Sequence, residues 1–208
     1  MLTYQIALSF FGIALLLALA PGPDNLFVLM QSAMWGRASG MLVVLGLCTG
    51  LVGHTVAVAI GLAAIFAASA AAFTALKLAG AAYLVYLAWG AFRARGHLSS
   101  HAKIPRLSNG KLYRRGIIMN LTNPKVSLFF LAFLPQFTSP ERGSVALQTL
   151  QLGALFMLAA LIVFGCIAFF SGVFGDRVQN SPKAQRLLNR FAGVVFLGLA
   201  LKLAFSSR

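Results

Sequence analysis

The chain has 208 residues, of which 60% are hydrophobic and only 10% charged. A soluble domain of that composition lacks the polar surface to cover itself, so the chain reads as an all-α integral membrane protein. Its net charge of +14 does not mark a nucleic-acid binder, because the basic residues lie between apolar runs and the aromatic residues within them.

A bilayer core about 30 Å thick takes about 20 apolar residues per helix, and runs counted against that length give six spans. The first covers about 4–34 and lacks the basic segment that precedes a cleaved signal, so it reads as a retained span. It is overlong, and Ala20-Pro21-Gly22-Pro23-Asp24-Asn25 interrupts it. In water such a cluster is an ordinary turn. Inside a bilayer the backbone groups freed by proline need partners in protein or in a wet cavity, which makes the interruption a candidate binding site. Asp24 is the only acid before Glu141.

From Ala38 to Leu76 there is no Lys, Arg, Asp or Glu, and the apolar run continues beyond Lys77 to Phe92. That is too long for one span. The small-residue stretch 67–72 is the least bulky place for a turn, giving spans of about 40–66 and 73–92. His54 follows the small-residue face of Gly46 and Gly50 and reads either as a packed neutral histidine or as a proton relay. Tyr83, Tyr86 and Trp89 share one helical face and read as packing against lipid or core. Cys48 and Cys166 sit in apolar runs without CxxC or metal-ligand spacing, so no disulfide framework, zinc site or cofactor is expected. Residues 93–115 form the one extended polar loop, rich in Arg and Lys, and divide the chain into 1–92 and 116–208.

The fourth span, about 116–137, carries a second interruption, Asn120-Leu121-Thr122-Asn123-Pro124-Lys125; the fifth and sixth cover about 145–170 and 188–205. Basic residues gather in the first, third and fifth loops, which places those loops in the cytoplasm and both termini outside. One re-entrant segment would instead move the N-terminus to the cytoplasm. Three spans per half is an odd number, so an echo between halves implies inverted repeats. Such an echo sets Pro23 on Pro124 and Asp24 on Lys125. The expected fold is two inverted three-helix repeats with the first helix of each broken at proline.

An unpaired charge at bilayer depth costs roughly 2.5 to 3.5 kcal/mol or more. Asp24 and Lys125 are therefore expected to face a cavity or one another, with snorkelling to the cytoplasmic face as the other reading of Lys125. Half-helices starting after Pro23 and Pro124 aim N–H groups at the midplane, an arrangement suited to a carboxylate. Asn25, Asn120 and Asn123 add amide donors and acceptors, and Asp24 can accept an ammonium group or carry a proton.

Pro21-Gly22-Pro23-Asp24-Asn25, the Gly-rich second span, the third-span segment that begins at Lys77-Leu78-Ala79-Gly80, Asn123-Pro124-Lys125 with Phe129-Phe130, and Leu134-Pro135-Gln136-Phe137 together resemble the lysine-exporter (LysE-type) superfamily, in its threonine/homoserine-exporter branch. The resemblance spans the whole chain. It implies a six-helix inner-membrane carrier, not an enzyme, that exports amino acids in exchange for protons. No P-loop is present, so an ion gradient is the expected drive. The single intramembrane acid favours a neutral substrate, threonine/homoserine-like or aliphatic, over a dibasic one. Rival readings are an exporter of basic amino acids or metal cations, or a membrane thiol redox protein. The expected partners are the amino acid, protons and the lipid bilayer; monomer and homo-oligomer both stay open.

Overall fold

The computed structural model describes residues 2–68, 70–94, 106–179 and 181–205, with the side chains of 62–68, 70, 72–73 and 172–179 left aside. Helices follow in the order α1 (Tyr4–Leu19), α2 (Pro23–Trp35), α3 (Arg37–Ala68), α4 (Ala70–Arg93), α5 (Asn109–Leu121), α6 (Pro124–Leu128), α7 (Val145–Gln179) and α8 (Pro182–Phe205). α6 continues through a π-helical turn, Phe129–Phe133, and a 3-10 turn, Leu134–Phe137. Helices α3, α4, α7 and α8 are each long and apolar enough to cross a membrane. The pairs α1–α2 and α5–α6 supply the other two spans, bent by 62° and 47° at their breaks.

The local sequence dictates both breaks. Ala20 precedes Pro21 and leaves the helical region at ψ 118, as a residue before proline is driven to do. Pro23 then opens α2 at its first turn, where its missing N–H costs nothing. Asn123 and Pro124 repeat this arrangement at the start of α6. Pro135 also cannot accept a regular helical register, and the chain ahead of it widens so that the Leu134 N–H reaches the Phe129 carbonyl. Gly36, at φ 86°, is the one-residue turn that folds α3 back along α2.

Several helices outrun the apolar stretches that mark them in the sequence. α5 starts at Asn109, ahead of the expected 116, and most of the stretch between the expected fifth and sixth spans is helical, belonging to α7 or α8. The reason is physical: apolar length reports the hydrocarbon thickness, whereas helix continues into the polar interface. At 32 and 35 residues, α3 and α7 reach about 48 and 52 Å, well beyond the bilayer core. Most of the basic loop, 95–105 with His97, His101 and Lys103, and the turn residue Ser69 lie outside the described residues.

Glycine contacts give the helix directions. A Cβ at Gly46 would strike the backbone of Tyr113 and Gly116, and one at Gly50 would stand 2.7 Å from Asn120 Cβ, so α3 and α5 run side by side in the same direction. Gly40 lies against Ala168 and Gly153 against Thr55, which makes α3 and α7 antiparallel; Gly80 against Leu203 and Gly193 against Phe92 do the same for α4 and α8. Because α3 turns back on α2 and α5 parallels α3, the broken pair α5–α6 runs opposite to α1–α2. The two three-helix repeats are inverted, each with its first helix broken at proline.

The surface is apolar, as a lipid solvent allows, and a minority of polar side chains is buried within a mostly apolar interior. Leu8, Ile60, Val85, Tyr86, Trp89, Leu187 and Val194 are exposed, while Asp24, Gln31, Thr55, Asn120, Asn123, Lys125 and Gln148 are buried.

Candidate binding site at the helix breaks

The first break leaves carbonyls at the end of α1 without their usual helical donors, since Pro21 has no N–H to give and the chain leaves the helix at Ala20. Side chains take over. Lys125 Nζ donates to the Leu17 carbonyl at 3.3 Å and to the Ala20 carbonyl at 2.9 Å, and Asn25 Nδ2 donates to the Ala18 carbonyl at 2.7 Å. Lys125 is 6% exposed, so it does not snorkel; its ammonium is held against the negative end of the α1 dipole. Gly22 makes room for it: a Cβ there would lie 3.2 Å from Nζ.

Asp24 stands in the first turn of α2, the second residue of that half-helix as Lys125 is of α6. It is 1% exposed. Asn123 Nδ2 donates to its Oδ2 at 2.9 Å, while Asn123 Oδ1 accepts from the Lys125 backbone N–H at 3.0 Å. One amide therefore caps α6 and ties that half of the molecule to the carboxylate of the other half. Asp24 Oδ1 makes no hydrogen bond of ordinary length in the protein, nor do Asn25 Oδ1 and Asn120 Oδ1, although the Asn120 side chain stands near enough to favour the carboxylate. The two half-helix starts differ: Asn123 caps α6, whereas Gly22 brings no side chain to α2. The expectation of free N–H groups at both starts thus narrows to the α2 end.

Asn120 and His54 form a flank. His54 Nε2 lies 3.2 Å from the Asn120 carbonyl, and its ring tilts over Phe130 at 5.5 Å. Asn120 fits against α3 only because residue 50 is glycine. On the α6 side the interior is filled by aromatic rings, with Phe10, Phe129, Phe133, Phe137 and Phe156 buried and packed at centroid distances of 5.0 to 5.9 Å.

A buried carboxylate set between inverted half-helices is an arrangement that a carrier can use. Residues 15–207 match the LysE type translocator family. The chain belongs to that family. As a LysE type translocator it is a membrane transporter and not an enzyme. It is 33% identical over 203 residues to the homoserine/homoserine lactone efflux protein of Salmonella typhimurium, with 98% of each chain covered. It is also 29% identical over 201 residues to the leucine efflux protein of Salmonella typhimurium, covering 92% and 91% of the two chains. An uncharacterized membrane protein of Vibrio cholerae is 34% identical over 198 residues, 95% of each chain. No solved structure matches.

Around this translocator's breaks sequence reasoning names Asp24, Asn25, His54, Asn120, Asn123 and Lys125, but not the groups farther along α2. Gln31, Ser32 and Trp35 are missed, although a glutamine seven residues after Asp24 falls on the same helical face, and that spacing is a readable signal.

Proposed function

We propose that this protein exports a small neutral amino acid across the bacterial inner membrane in exchange for protons, by alternating access of its two inverted halves around the breaks. The observation that carries the proposal is Asp24: buried, bonded to the opposite half through Asn123, and without a hydrogen bond of ordinary length at Oδ1. A lone buried carboxylate can hold a substrate ammonium or a proton but not both, so arrival of one expels the other. That exclusion is a coupling device. The uncapped start of α2 suits the α-carboxylate, with Gly22 keeping the backbone within reach. Lys125 closes the carbonyls of α1 and adds positive potential beside the same spot. His54 holds the Asn120 carbonyl and sits where a proton could pass.

Relatives named for homoserine, homoserine lactone and leucine efflux support a neutral amino acid as cargo. Orientation follows from the basic residues. Arg37 and Arg93 lie at one end of the bundle, over Phe169 and Trp89 at 4.0 and 4.3 Å, and that end is assigned to the cytoplasm.

The test is counterflow of a panel of labelled amino acids in liposomes containing the purified protein, with and without an imposed pH gradient. Saturable exchange of a neutral amino acid, driven uphill by inward protons, is the expected result. Exchange of none of them, or indifference to the gradient, contradicts the proposal.

A further inference from the structure

The face of α2 that carries Asp24 continues toward the end of the helix away from the break as Val28, Gln31 and Trp35, at helical spacings of four, seven and eleven residues. Gln31 is fully buried, and both its Nε2 and its Oε1 lack any hydrogen-bonding partner in the protein. The indole Nε1 of Trp35 and the hydroxyl of the neighbouring Ser32 are likewise unpartnered. A carboxamide sealed between apolar helices with neither end satisfied is costly, and a leucine of similar size would remove that cost. The opposite path has no equivalent: aligning Asp24 with Lys125 places Ala132 at the position of Gln31, within the aromatic packing of α6.

From this asymmetry we infer that Gln31 is a second substrate-contacting residue, about 10 Å from Asp24 along α2, that binds the zwitterionic amino-acid group on its way between the Arg-rich end and the breaks. Its amide N–H groups fit the α-carboxylate and its carbonyl oxygen fits the α-ammonium, the parts every amino acid shares. The inference rests on the amino-acid transport reading above.

Uptake into inside-out membrane vesicles reports the affinity at the Arg-rich face. Gln31→Leu and Gln31→Met are expected to raise KM about tenfold, equally for leucine and threonine, with kcat little changed and the detergent melting temperature equal or higher. Unchanged KM in both variants, beside a wild type that transports, overturns the inference while leaving the transport reading intact. A KM rise confined to threonine also overturns it, since the amide would then read a side-chain hydroxyl. A wild type that takes up no amino acid removes the transport reading itself.

Discussion

Asp24 and Lys125 stand at equivalent positions of the two repeats, yet each makes its hydrogen bonds to something other than its counterpart. Lys125 replaces the N–H that Pro21 cannot donate to Leu17, and Asp24 leans on the Asn123 amide. Replacing Lys125 with Met strips the donor from two buried carbonyls, a loss of about 1 to 3 kcal/mol for each group left unmade. Lys125→Met is therefore expected to lower the melting temperature in detergent by several degrees. Adding Asp24→Asn should recover part of that loss by removing a charge left alone, without recovering transport. Additive destabilisation in the double variant would show that the two charges do not sense each other. Sequence alone could place Asp24 deep in an apolar span but left Lys125 between that depth and the cytoplasmic face, and could not say which carbonyls it would reach, because those lie more than a hundred residues away in the chain.

At the level of the helices, the account turns on close contact between α3 and the end of α5. Gly50 and Gly12 make a matched pair for testing it. A Cβ at Gly50 meets Asn120 Cβ at 2.7 Å and Asn120 Oδ1 at 2.8 Å, whereas one at Gly12 meets nothing within 4 Å. Gly50→Ala is expected to cost about 1 to 3 kcal/mol of stability and to slow transport by displacing Asn120, and Gly12→Ala to leave both unchanged. Thermal unfolding and counterflow on the two purified variants separate these outcomes. Pro124→Ala should impair transport far more than membrane insertion, measured by the amount of folded protein recovered from membranes; equal loss of both would make the break purely structural. The breaks themselves were legible, since prolines inside apolar runs leave few alternatives. The π-turn at Phe129–Phe133 was not, because aromatic residues fit any helical register and only the geometry ahead of Pro135 forces the widening.

For the whole molecule, the six spans and their inversion were legible from run lengths and an odd count per half, while helix ends were not, since α7 and α8 continue as helix where the polar composition reads as loop. The burial of polar side chains was readable only in part: Asp24 and Lys125 announce themselves by charge, whereas Gln31 shows only through its seven-residue spacing from Asp24. Orientation in the bilayer remains open to direct test at Ser108, an exposed residue just ahead of α5. With Cys48 and Cys166 replaced by serine, a cysteine introduced at 108 should resist impermeant thiol reagents in intact cells and react after permeabilisation. Labelling in intact cells would invert the assignment.

The central claim is that Asp24 alternates between proton and amino acid. Proton-driven efflux of the transported amino acid from liposomes containing Asp24→Asn measures it most directly. Efflux by this variant is expected to ignore an imposed pH gradient although the protein is folded and membrane-embedded in normal amounts. Gradient-driven efflux at the wild-type rate would contradict it.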